Sequence, residues 1–288
     1  MPALYVPSSR STFDWMRQLL VVTATAGLLA MVSTVSTAAG PRDVLSRARQ
    51  LYNAAKYDEA IEAAQMAGLA PDLAHSARLV LARAYLERFR QSGEPSDLSD
   101  ARDALAQVRP AELEADDRVE LTIALGESLY LDDKAGAAAE QFELALGYTD
   151  PKHPERRELT LDWWASSLDR QAQMVAGPEA RTIEMRIVSR MDEELRRNPE
   201  SVVASYWLVA GARGAGDVER AWAAAIAAWV RAAQAGRRGV TLQTDLNRVV
   251  VQAVIPERAR QLGAGNPDTV AAAMRKEWES LKETWVAR

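Results

Sequence analysis

Residues 125–151 read LGESLYLDDKAGAAAEQFELALGYTDP, and the fold follows from how small and large residues are placed in them. Leu125 and Gly126 stand one turn before Leu129, which predicts a shared face on a first helix. Ala138, Phe142 and Ala145 then recur at helical spacing on a second. Gly and Ala at the crossing points let two antiparallel helices pack closely. On this register Ala138→Leu is expected to force the pair apart, whereas Ala135, read as a turn residue, is expected to tolerate the same change.

The pattern recurs on both sides. In residues 42–71, Leu51 falls on a first helix, Tyr57 opens a second, and Ala60, Ala64 and Ala67 share a face. Residues 74–110 carry Leu81, Ala82 and Tyr85, then Ala101, Leu105 and Val108, and the polar run RQSGEPSD between the helices reads as a protruding loop. Aligned on Ala60, Ala101 and Ala138, the copies stand 41 and 37 residues apart. A divergent fourth copy holds Trp163 and Trp164. A fifth has Ala221, Ala225 and Ala228 after a Gly216-Asp217 turn, with Ile187 of the fourth and Ala221 of the fifth 34 residues apart. Pro followed by an acidic residue, at Pro154, Pro178, Pro256 and Pro267, predicts four separate helix starts, because Pro fits a first turn and a carboxylate complements its positive end. The run VVVQAVI has strand propensity but no partner strand, so a helix is expected there. Val270, Met274, Trp278, Leu281 and Trp285 mark a terminal amphipathic helix suited to covering the last apolar face of a stack. Seven of the eight Trp residues lie from Trp163 onward, which reads as a change in packing rather than as a recognition surface.

This order of residues resembles the tetratricopeptide repeat, whose period is about 34 residues. The likeness is strongest in the first and third copies, and the run KYDEA, residues 56–60, is typical of the family. The resemblance implies an all-α fold: an α-α superhelix, a solenoid of stacked antiparallel helix pairs over residues 42–232, with about five units and a C-terminal helical cap over residues 233–288. It also implies a concave groove lined by the first helix of each pair. Threaded on the family pattern, the positions that would choose a ligand are Arg49, Asn53, Arg83, Glu87, Glu127, Tyr130, Asp162 and Asp169, a row passing from basic to acidic. The Lys/Asn cluster with which chaperone-binding members grip a terminal carboxylate is absent from these positions. The implied partner is therefore a peptide segment or helix of another protein, and not a chaperone tail.

Composition narrows the chemistry. The 288 residues are 48% hydrophobic and 26% charged, a globular balance. The absence of cysteine excludes disulfides, a Cys-ligated zinc and a thiol nucleophile, and two histidines, His75 and His153, leave little for a metal centre or a catalytic triad. A net charge of −5 argues against nucleic acid as a partner. The pairs Asp116-Asp117, Asp132-Asp133 and Glu193-Glu194 read as solvated faces, because neighbouring residues on a helix diverge. Ser166-Ser167 has no base beside it, and Gly236-Arg237-Arg238-Gly239 reads as a basic linker. No metal, cofactor or catalytic set is expected. An enzyme whose carboxylates converge in the second half is the one chemical alternative.

Residues 1–39 place Arg10 and Arg17 before an uncharged stretch that ends in Thr37, Ala38 and Ala39, as a secretory signal peptide does. The leading expectation is thus an exported, periplasmic, non-catalytic scaffold or adaptor of the cell envelope. If the segment is kept, about 20 uncharged residues suffice for a membrane anchor. The alternative is then an inner-membrane-tethered assembly factor that binds through its Trp-rich half, touching membrane only through that segment. Oligomeric state is not legible in the sequence.

Overall fold

The computed structural model describes residues 40–148, 153–263 and 265–285. The leader expected over residues 1–39 lies outside them. Among the described residues the secondary structure is helical, without a strand. The chain divides into two compact units, one ending at His153 and one beginning at Pro154.

The first unit holds three helix pairs: α1 (Pro41–Asn53) with α2 (Tyr57–Ala67), α3 (Ala74–Ser92) with α4 (Pro95–Ala106), and α5 (Ala115–Leu131) with α6 (Ala135–Tyr148). The second holds α7 (Pro154–Gln173) with α8 (Pro178–Arg197), α9 (Val202–Gly214) with α10 (Val218–Gln234), then α11 (Gly236–Val249), α12 (Ile255–Leu262) and α13 (Pro267–Thr284). Within each pair the helices pack on each other. First helices also meet the first helix of the next pair: α1 with α3, α3 with α5, α7 with α9. This serial packing is that of an all-α solenoid.

Small residues set the spacing. Ala60, Ala101, Ala138 and Ala221 are fully buried. At Gly126 an added Cβ would lie 2.7 Å from the Phe142 ring, and at Gly211 it would lie 3.1 Å from Ile187. Leu125, by contrast, is 36% exposed. Successive helical residues stand about 100° apart, so Leu125 cannot share the face that Gly126 turns to α6. Ala135 corrects the turn assignment too, being 2% exposed as the first residue of α6. Ala137 is the exposed neighbour. Ala138→Leu is therefore expected to lower stability by about 1–3 kcal/mol, with Ala137→Leu close to neutral; equal melting temperatures for the two variants would contradict the packing.

Three of the turns are one turn. Lys56, Lys134 and Asp217 each donate their backbone N–H to the carbonyl five residues back, of Leu51, Leu129 and Ala212, at 3.0, 2.9 and 2.9 Å. The residue before each has positive φ: Ala55 at 57°, Asp133 at 59° and Gly216 at 78°. The carbonyls of Lys56, Lys134 and Asp217 then accept from Ala60, Ala138 and Ala221, so these alanines are structurally equivalent. The left-handed region strains a residue with a Cβ. Ala55→Gly is expected to raise stability by about 0.5–1 kcal/mol, read as a higher Tm.

The second pair differs. The expected RQSGEPSD loop is absent, because α3 runs on to Ser92, Gly93 turns the chain at φ 72°, and Pro95 opens α4. Arg88 fastens this corner. It donates to both oxygens of the buried Asp97, at 2.6 to 3.1 Å, and to Asp58 of α2 at 2.7 Å.

In the second unit, Pro154, Pro178 and Pro267 open helices, whereas Pro256 does not. It follows a π turn, Val250–Val254, inside continuous helix from α11 to α12. The wider turn accommodates a residue that lacks an N–H and whose ring crowds the preceding turn. Gly236 opens α11 at φ 59°, so the basic run begins a helix instead of forming a linker. Of the seven Trp residues from Trp163 onward, six are at most 6% exposed, and Trp285 is 40% exposed. Trp278 of α13 seats between Trp222 and Trp229 of α10, with ring centroids 5.9 and 5.1 Å away, and donates its indole N–H to Asn247. The buried side of α13 is Ala271, Met274 and Trp278, covering the apolar face of α10. No described helix is long and apolar enough to cross a membrane.

Candidate functional site

In the first unit α1, α3 and α5 stand side by side, and charged side chains gather along the row they form. Arg83 of α3 lies 4.4 Å over the Tyr52 ring of α1 and pairs with Glu120 of α5 at 3.0 Å. Glu87, one turn further along α3, accepts from Arg90 at 2.6 Å. Glu127 of α5 is 6% exposed and faces the same group. At the other end Arg49 of α1 reaches past α3 to both oxygens of Asp117 on α5, at 2.7 and 3.0 Å, where the Ser76 hydroxyl of α3 also donates at 2.7 Å. The long Arg49 side chain thus ties α1 to α5 across α3.

Electrostatics follow from this crowding. Burial, with Glu87 adding to it, pushes the Glu127 carboxyl up to about 7 against the pull of Arg90 and Arg83. Burial also raises the Tyr52 phenol above its ordinary value, although Arg83 opposes it. Arg83 itself is held firmly charged: burial works against it, and Tyr52 and the surrounding glutamates outweigh burial.

Arg83, Glu87 and Glu127 of the expected row are thus brought together, with Tyr130 buried one turn beyond Glu127. Arg49 stands at the far end in its ion pair, and Asn53 is exposed on the last turn of α1. Tyr52, Arg90, Glu120, Asp117 and Ser76 were not foreseen. The spacing of Arg83, Glu87 and Arg90 on one side of α3 is the sequence signal for Arg90. Asp117 had been read as a solvated carboxylate and is instead the anchor of the Arg49 ion pair, because the helix turns it inward.

Asp162 and Asp169 belong to the second unit and depart from the expected groove. Helix α7 is buried from Thr160 to Leu168, and Asp162, 2% exposed, accepts from the Trp207 indole N–H at 2.6 Å. The indole N–H meets one of the two carboxylate oxygens, Oδ1, where water cannot reach it. Asp169 meets Glu184 of α8 across the helix interface and accepts from Gln173 at 2.7 Å. Burial, together with Asp169, lifts the Glu184 carboxyl to about 8 while Arg213 opposes the rise, and burial raises Asp169 as well. The pair therefore holds a proton at neutral pH. Gly214 leaves room for it, since an added Cβ would fall 2.4 Å from the Glu184 carboxyl carbon. The two groups meet directly, without the gap of about 5–10 Å that a pair of hydrolytic carboxylates leaves for its substrate. Glu194, also read as solvated, is 3% exposed and bonded to Arg157 and Arg190. Among the described residues no cluster of His, Cys, Asp and Glu could hold a metal ion.

A groove of about 350 Å³ lies between α10 and α13, with Trp222, Ile226, Trp278, Leu281 and Trp285 in its walls. The chain matches no family model, no curated protein and no solved structure.

Proposed function

We propose that the protein is a non-catalytic helical-repeat adaptor that holds a segment of another protein along the row of α1, α3 and α5. The observation that carries this reading is the convergence of Tyr52, Arg83, Glu87, Arg90, Glu120 and Glu127 from three successive first helices on one face. A solenoid presents such a face for extended contact, and the resemblance to tetratricopeptide repeats points to the same use. The basic start and the uncharged stretch that follows it within residues 1–39 support export to the periplasm and a partner in the cell envelope.

The test is a photo-crosslinking amino acid placed in the full chain at Asn53, on the row, and at Leu69, which is 84% exposed beyond α2. Adducts from position 53 and none from position 69 are the expected result. Equal labelling, or none from position 53, would remove the row from the argument.

A second reading puts the contact on the second unit, and the Trp-walled groove between α10 and α13 favours it. There the chain would act as a membrane-anchored assembly factor. Mass spectrometry of the mature N-terminus separates the two: a start near Ala39 supports secretion, and an intact Met1 supports the tether.

A further inference from the structure

Helix α13 is held by few contacts. Of its 18 residues only Ala271, Met274 and Trp278 are buried. Its backbone packs closely on α12, and it meets α10 through the Trp278 ring. Two polar ties complete the seat. Asn247 of α11 accepts from the Trp278 indole at 3.0 Å and from Lys282 at 3.1 Å, and the Trp285 carbonyl accepts from Trp229 at 2.8 Å and from Gln243 at 3.2 Å. Where the helix pairs close on Ala and Gly, α13 closes on indoles, and the groove of about 350 Å³ lies open beside them.

The match along that groove is incomplete. Trp222 and Ile226 of α10 form one wall, and α13 supplies Glu277, Ser280 and Thr284 to the other, beside Leu281. A carboxylate and two hydroxyls gain nothing from an apolar wall, so the contact that apolar side chains would make there is unmade.

We propose that the face of α10 around Trp222 and Trp229 is a docking site for an amphipathic helix of another protein, and that α13 is its resident substitute, displaced when that helix arrives. The site is independent of the row of α1, α3 and α5, so its failure leaves that reading in place. The partner's chemistry can be read from α13. It needs a small residue, an apolar residue and a Trp at the spacing of Ala271, Met274 and Trp278, so that its indole enters between Trp222 and Trp229. It improves on α13 by carrying apolar residues where α13 has Ser280 and Thr284. The α13 of a second copy has no such gain, and the tether gives the resident helix the advantage over it. Gly263 and Gly265, in the link between α12 and α13, let the backbone turn to release the helix.

The experiment titrates the full chain into fluorescein-labelled peptides and follows anisotropy, with hydrogen exchange over residues 267–284 of the chain read by mass spectrometry. One peptide has the sequence of residues 267–285 with Ser280→Leu and Thr284→Leu, a second has the native sequence, and a third adds Trp278→Ala to the first. The first is expected to bind roughly tenfold more tightly than the second, since it buries two more apolar side chains. The third should not bind, and exchange in the chain's own α13 should speed up as the first binds. Trp278→Ala in the full chain, which loosens the resident helix, should raise the affinity for the first peptide further. Lys282→Ala should do so more weakly, and it keeps the readout if the Trp variant does not fold. Absence of binding by the first peptide overturns the site. Equal binding by the first and third, or binding that leaves exchange in α13 unchanged, overturns the displacement. A dimer in light scattering, with no gain from the two leucines, gives the face to a second copy and overturns the foreign helix.

Discussion

Replacing Glu194 by alanine is expected to lower the stability of the second unit by about 3 kcal/mol. Glu194 is 3% exposed near the end of α8 and accepts from Arg157 of α7, at 3.1 Å through its Nε, and from Arg190 at 3.2 Å. Arg157 ties α7 to α8, so the carboxylate serves both helix packing and charge balance. Removing it takes away the carboxylate that the two guanidinium groups share, and with it the tie between α7 and α8. The loss falls at the low end for a broken buried pair because Arg157 and Arg190 keep 26% and 20% of their side-chain surface exposed and can turn toward water. Chemical denaturation should show a lower midpoint with an unchanged slope. A loss under about 1 kcal/mol would place Glu194 among ordinary surface pairs.

The second large effect is a dependence on pH. Glu184 has a folded value of about 8 against an ordinary 4.5, so the folded state binds more protons than the unfolded one between those limits. Stability must therefore fall as pH rises from about 4.5 to about 8, and level off above that. Its cause is burial first, then the Asp169 carboxylate alongside. Because the two groups share the proton, the loss is expected to be about 2–4 kcal/mol, less than the full shift of one isolated group would give. Glu184→Gln keeps the shape, supplies an amide donor to Asp169 and cannot ionise. Its melting temperature should exceed that of the wild type at pH 8, and the two curves should converge toward pH 5. Parallel curves would show that the pair does not titrate in this range.

The sequence disclosed the helix pairs well where they rest on size. Ala60, Ala138 and Ala221 are equivalent in hydrogen bonding as well as in spacing, and periodicity is sufficient to see that. It misplaced features that depend on a partner far along the chain. RQSGEPSD looked like a loop from its Gly, Pro and Ser content, yet Arg88 clamping Asp97 and Asp58 holds the corner short. Pro256 looked like a helix start, but a π turn before it lets the helix continue. Of the charged row, Arg83, Glu87 and Glu127 were legible because each follows its repeat position. Asp162 and Asp169 were not, since nothing in the local pattern tells that α7 is enclosed along most of its length. Tyr52 and Glu120 act through helices about 30 residues or more away, and such cross-helix pairing has no local signature.

The three matching turns, at Ala55, Asp133 and Gly216, give the chain interchangeable joints. Each sets a buried alanine at the same step into its second helix, so all three hand the chain on in the same register. In a stacked array length changes by whole modules, because each unit touches only its neighbours.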